Sequence, residues 1–230
     1  MTSTRGPQTR DHAHTLVKIC GLRSLVEARA ALAAGADLLG FIFWKPGKRY
    51  IAPSEASTII QTLRTESSNW SAVGVFVDPS HEDVEEATAV CGLDYVQLSG
   101  NEPLATVKAM PRPTLKAVHV RAGGEAAAAN LVATDALGAH WYLLDTHADG
   151  LPGGTGAVFD WSALATVGRS CFVAGGLRPD NVSRALQTLA PLGVDVSSGV
   201  EFAHTSSAGK DPVLIRAFLE AVRTHDHRPH

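Results

Sequence analysis

Disulfide-grade cysteine, long apolar runs and charge of one sign are all missing from this 230-residue chain. Three cysteines, Cys20, Cys91 and Cys171, are too few and too widely spaced for a disulfide framework or a zinc signature. A net charge of −3 gives no footing for nucleic acid or for an anionic membrane surface. No run approaches the roughly 20 apolar residues of a membrane span. The opening MTSTRGPQTRDHAHT lacks the apolar stretch of a signal peptide, so a cytoplasmic protein is expected. Histidine is plentiful, but His12, His14, His225, His227 and His230 fall in polar termini, and no functional metal site is read from them.

What is present is a large core and a regular alternation. Hydrophobic residues make up 45% of the chain against 19% charged, enough for one large domain. After a polar, aperiodic stretch over 1–15, read as a flexible extension, short apolar or β-branched runs alternate with amphipathic ones up to 224. The strand candidates are 16–20, 38–43, 72–77, 94–98, 114–120, 140–145, 171–174 and 193–197. Helix candidates fall near 24–34, 53–64, 81–90, 102–110, 124–133, 161–167, 179–189 and 211–224, and 225–230 is a His-rich polar tail. Pro53-Ser54-Glu55 and Asp180-Asn181 read as helix starts, Gly35 and Gly92 as stops. Eight such pairs without a linker-like break predict a single-domain (β/α)₈ barrel of the TIM type. An open doubly wound sheet would be expected to carry a Gly-rich dinucleotide fingerprint after its first strand, and ICGLRS is not one.

A barrel makes a positional prediction. Its active groups belong at the C-terminal ends of the strands, where side chains at i and i+2 share a face. The first strand then turns Lys18 and Cys20 inward, the fourth Gln97 and Ser99, and the eighth Asp195 and Ser197, while the sixth ends at Asp145. Each alone has a bland reading: a buried Cys is usually a small hydrophobe, and a lone Asp after a strand is usually a helix cap. A cation, a thiol, two acids, an amide and hydroxyls converging on one end is a stronger pattern than any of its members.

Three Gly/Ser-rich loops follow the last strands: Gly153-Gly154-Thr155-Gly156, Gly175-Gly176 and Ser197-Ser198-Gly199. Glycine lets backbone N–H groups approach an anion, and a following helix N-terminus favours negative charge. One such pair is more often just a turn. Three in succession predict one phosphate site, in the place where barrels commonly hold one. The loop FWKPGKRYI after the second strand carries Lys45, Lys48 and Arg49. It is read either as a solvated cluster or as a basic lip whose Arg49 grips a substrate carboxylate in bidentate fashion.

The ordered series VKICGL, GFIFWKPGKRYI, GVFVD, VQLSG, LLDT, GGTGAVFDW, AGGLRPDNV and GVDVSSGVE, running from 17 to 201, closely resembles the phosphoribosylanthranilate isomerase family. The resemblance implies a cofactor-free (β/α)₈ enzyme of tryptophan biosynthesis, monomeric or homodimeric, acting on a small phosphorylated substrate. Its reaction is the Amadori rearrangement of N-(5′-phosphoribosyl)anthranilate to 1-(2-carboxyphenylamino)-1-deoxyribulose 5-phosphate. It further implies Cys20 as general base, Asp145 as general acid, Arg49 on the anthranilate carboxylate, and the glycine and serine loops as phosphate cradle. Lys18, Gln97 and Asp195 are expected to bind substrate, and Lys18 to favour the Cys20 thiolate. Burial and Asp195 are expected to act on Asp145.

Ser99 departs from the family's usual VQLHG, which has histidine there. Two other readings stand beside this one. A histidine-pathway aldose–ketose isomerase barrel performs the same chemistry, but with an Asp on its first strand and two phosphate sites. A non-catalytic phosphate-binding barrel is the third, with Ser99 as its support.

Overall fold

Leucine-, valine- and phenylalanine-rich runs form eight strands: β1 (Leu16–Cys20), β2 (Leu38–Ile42), β3 (Ser71–Phe76), β4 (Tyr95–Leu98), β5 (Thr114–His119), β6 (Trp141–Asp145), β7 (Cys171–Ala174) and β8 (Gly193–Val196). The computed structural model describes residues 14–121, 123–145, 161–202 and 209–227. Neighbouring strands pair in parallel in chain order, and β8 pairs with β1, so the sheet closes into a barrel. Parallel neighbours require a crossover, supplied here by α1 (Leu25–Ala34), α2 (Pro53–Glu66), α3 (His81–Cys91), α4 (Leu104–Lys108), α5 (Glu125–Ala133) and α6 (Val182–Leu189), while α7 (Pro212–Asp226) follows β8. The barrel expected from the alternation is therefore observed, with every strand end within one residue of its expected place.

Local chemistry explains most of the helix boundaries. Gly35 and Gly92 close α1 and α3 in the left-handed region, at φ 96 and φ 65. Pro53 opens α2, and the Glu55 carboxylate accepts the Ala52 N–H. Three helices differ from expectation. The stretch 102–110 yields only the short α4, because Glu102 turns inward and Pro103 and Pro111 bracket the segment. Between β6 and β7 lies a 3-10 run, Trp161–Ser170, in place of an α-helix. Thr166, Val167 and Gly168 are weak α-formers. The 3-10 geometry also lines up the buried Leu164 and Val167, three residues apart. Finally, α6 begins only after Asn181, whose side chain does not cap it. Its amide is engaged by the preceding loop, accepting from Arg178 N at 2.8 Å and donating to Gly176 O at 2.9 Å.

Two apolar layers result from the alternation. Val17, Ile19, Val96, Leu98, Leu144 and Val194 face outward and pack with the helices, including Ala28, Leu63 and Phe218. Each such buried aliphatic or aromatic side chain contributes about 1.5–3 kcal/mol relative to exposure. Inside, Leu38, Val73, Tyr95, Leu115, Leu143 and Phe172 fill the barrel. Above that apolar filling the inward positions turn polar. At the opposite end α7 is tied to the start of β1: Asp226 accepts from Thr15 Oγ1 at 2.7 Å, and Arg223 donates to Thr15 O at 2.6 Å.

Candidate active site

Strand register brings the first cluster together. Lys18 lies beside Asp195 across the β1–β8 seam, and Cys20 lies beside Gly40 across β1–β2. Lys18 is fully buried and donates from Nζ to Asp195 Oδ1 at 3.0 Å. A side chain at position 40 would begin 3.1 Å from both Lys18 Nζ and Cys20 Sγ, so glycine there gives the ammonium and the thiol their space. Burial alone would lower Lys18, but Asp195 and Cys20 together raise it and keep it protonated. Burial also pushes the Asp195 carboxyl up, against the pull of Lys18 and Lys210.

Cys20 is raised above its ordinary value, first by burial, with Lys18 and Lys210 pulling the other way and Asp195 adding to the rise. Lys18 thus favours the thiolate, as expected, but does not overcome desolvation. The other cysteines show what lies behind that balance. Burial alone carries Cys91 to about 11 and Cys171 to about 12, with no cation acting on either.

The basic lip holds a second cluster. Arg49 donates through Nε and Nη2 to both oxygens of Glu201, the Nη2 bond being 2.9 Å. Those bonds raise Arg49 further, while Arg49 and Lys210 hold Glu201 low although burial opposes them. Lys210 is buried and donates to Glu201 Oε1 at 2.8 Å, Ser197 O at 3.0 Å and Ser197 Oγ at 3.1 Å. Burial lowers it, with Glu201 opposing. Ser197 Oγ in turn donates to Cys20 O at 3.0 Å. Gly21 makes this closure possible: its φ is +78, and a Cβ there would strike Arg49 Cδ at 2.6 Å. Arg49 therefore does reach the mouth, and Glu201 already occupies one side of its fork. The guanidinium carries five N–H donors, so its other edge stays available to an anion.

A third cluster lies on β4–β6. Gln97 Nε2 donates to Ser99 Oγ at 3.0 Å, and Gln97 Oε1 is buried with no hydrogen-bond partner among the described residues. His119 stands opposite Asp145 in the β5–β6 register. Its Nε2 lies 2.9 Å from Ser99 O, and its Nδ1 lies 3.4 Å from Asp145 Oδ2. Asp145 is the main cause that raises His119, opposed by partial burial and by Lys116. Asp145 also acts on Asp195, which ties this cluster electrostatically to the first.

Two of the three expected phosphate loops meet. Gly175 and Gly176 have φ 91 and φ 64, and a Cβ on Gly199 would overlap Leu177 O, so the loops after β7 and β8 abut backbone to backbone. Ser197 leads into a 3-10 turn, Ser198–Val200, beside them. Gly153, Gly154 and Gly156 lie outside the described residues.

Three residues of these clusters were not expected: Glu201, Lys210 and His119. The inward alternation that singles out Lys18 and Cys20 also places Leu115, Ala117 and His119 on one face of β5, with His119 at the mouth. Lys210 has no such signal. It reaches the site through an isolated antiparallel bridge between Glu201 and Lys210.

A family model described as N-(5′-phosphoribosyl)anthranilate (PRA) isomerase matches residues 17–221. The N-(5′-phosphoribosyl)anthranilate isomerase of Desulforudis audaxviator is 43% identical over 211 residues, which is 91% of this chain and 98% of that protein. The crystal structure of phosphoribosyl anthranilate isomerase from Thermotoga maritima aligns with TM-score 0.79 at 33% identity, covering 91% and 99% of the two chains. A structure of phosphoribosyl anthranilate isomerase in complex with reduced 1-(o-carboxyphenylamino)-1-deoxyribulose 5-phosphate aligns with TM-score 0.76 at 31% identity, covering 91% and 99%.

Proposed function

The chain belongs to the phosphoribosylanthranilate isomerase family, and from that premise we propose that it isomerises N-(5′-phosphoribosyl)anthranilate with Cys20 as general base and Asp145 as general acid. The observation that carries this reading is the setting of Cys20, the one cysteine on which cations act, at the C-terminal end of an inward-facing strand. In this reading the Asp145 carboxyl donates its proton to the ribose ring oxygen. The C1′–O bond breaks, and the anthranilate nitrogen lone pair closes a protonated Schiff base. The Cys20 thiolate then removes the C2′ proton, and the resulting enolamine ketonises to 1-(2-carboxyphenylamino)-1-deoxyribulose 5-phosphate. A thiol raised by burial is a thiolate less often, but each thiolate is a stronger base. Lys18 offsets part of that burial.

The remaining residues act on binding. Arg49, oriented by Glu201, takes the anthranilate carboxylate on its open edge. The unpartnered Gln97 Oε1 accepts from a sugar hydroxyl, which relieves a desolvation cost of about 1–3 kcal/mol. The backbone N–H groups of Gly175, Gly176, Ser198 and Gly199, with Gly153, Gly154 and Gly156, hold the phosphate, while Lys18 and Asp195 line the floor under the ribose. The oligomeric state that accompanies this reading is a monomer or a homodimer. No helix among the described residues is long and apolar enough to cross a membrane, in keeping with a cytoplasmic enzyme.

The test is the loss of phosphoribosylanthranilate fluorescence on adding the protein. Cys20→Ser and Asp145→Asn are each expected to lower kcat by at least about 10²-fold, the usual scale for a general acid or base. Full activity in either variant removes that residue from its role.

A further inference from the structure

An aspartate titrates near 3.9 when nothing perturbs it, yet a general acid at neutral pH has to hold a proton. The β4–β6 cluster offers a source for that proton. Ser99 O is a carbonyl and only accepts, so His119 Nε2, at 2.9 Å, carries the hydrogen of that contact. In the neutral ring this leaves Nδ1 as the bare nitrogen, and Nδ1 is the atom that faces Asp145 Oδ2 at 3.4 Å. Two arrangements satisfy the contact: an imidazolium against a carboxylate, or a neutral imidazole accepting from a protonated carboxyl. Both hold one proton between the same two atoms.

We propose that His119 is the positioning residue of the general acid, forming with Asp145 a pair that keeps one proton at the barrel mouth, its tautomer set by the Ser99 carbonyl. This rests on the reading of Asp145 as general acid. The register His119↔Asp145 fixes the two groups on adjacent strand ends, so the contact is built into the sheet rather than into a loop. Lys116, on the same strand, opposes the imidazolium and is itself paired with Glu102 at 2.9 Å, while Asp195 couples to Asp145 from β8. The proton balance closes. The pair loses one proton to the ring oxygen, which becomes a hydroxyl, and Cys20 gains one from C2′. Ketonisation adds a proton at C1′ and releases one from the C2′ hydroxyl. One proton then returns through water from Cys20 to the pair.

The experiment is the kcat pH profile of wild type, His119→Gln and Asp145→Asn, together with ¹⁵N titration of the wild-type His119 ring. Glutamine keeps an N–H for the Ser99 carbonyl but cannot store a proton. The expected result has three parts. Asp145→Asn loses activity. His119→Gln lowers kcat with KM within about two-fold, and moves the limb set by the pair to lower pH by at least about one unit, because the ring no longer shares the proton. The wild-type ring titrates above 6.5 and carries its neutral-form hydrogen on Nε2. An unchanged profile in His119→Gln overturns the inference, as does a neutral ring protonated on Nδ1. If kcat and KM change without any shift in the profile, the role is structural and the inference also fails. If Asp145→Asn is active, it is the general-acid assignment that falls, and the two failures are told apart. Should His119→Gln not fold, the ring titration decides alone.

Discussion

Lys18 and Lys116 are both almost fully buried, and each faces a carboxylate, Asp195 at 3.0 Å and Glu102 at 2.9 Å. Their hydrogen bonding separates them. Lys116 spends its N–H donors on Gly100 O at 2.8 Å, Ala117 O at 3.0 Å and Leu98 O at 3.4 Å, so its ammonium is saturated and its contact with Glu102 is an ion pair. Glu102 accepts the backbone N–H groups of Asp78 and Gly100, each at 2.9 Å. That knot ties the end of β4 to the loop after β3. Lys18 has Asp195 as its one hydrogen-bonded carboxylate and the Cys20 thiol beside it, under a glycine that keeps the space open. A buried pair whose donors are all engaged fixes a backbone; one with donors in reserve acts on whatever enters. The Arg49–Glu201 pair is of the second kind, with half its fork uncommitted.

The largest expected effect comes from stranding each carboxylate in turn. Lys18→Met and Lys116→Met should each cost about 3–5 kcal/mol in urea unfolding, because an unpaired charge stays buried. Only Lys18→Met should also raise the Cys20 thiol, seen as an alkylation midpoint displaced upward by about one pH unit or more. An equal displacement in Lys116→Met, or none in Lys18→Met, breaks the comparison. Next comes Arg49→Lys, which keeps the charge but loses the planar fork. KM should rise about 10- to 100-fold, with kcat changed far less; a fall confined to kcat would place Arg49 in the chemistry instead of in binding. The smallest effect is on acid stability. Burial would raise Glu102, but Lys116 and backbone N–H groups hold it below 4.5. A depressed carboxyl contributes stability that is complete above its unfolded value and is lost as pH falls through the folded one. Urea midpoints should therefore drop on acidification below about pH 4.5, and drop less in Glu102→Gln.

Much of this was legible in the sequence because a barrel strand has a period of two and a fixed direction. Those facts alone bring Lys18, Cys20, Gln97, Asp145, Asp195 and Ser197 to the mouth, and His119 obeys the same rule. Helix ends were less legible where a side chain serves another partner. Asn181 looks like a cap yet closes the 176–181 loop, and Glu102 looks like part of a helix yet turns inward to Lys116.

By itself, then, the amino-acid order determined which face each residue of a strand presents and that the strands run parallel, since both follow from local periodicity and crossover length. Only the closed barrel decided which faces meet. Lys18 and Asp195 stand 177 residues apart in the chain, and they become partners only because β8 returns to β1. Closure also decided the balance at Cys20, since burial by the whole fold, and not the neighbouring lysine, sets the larger push on its thiol.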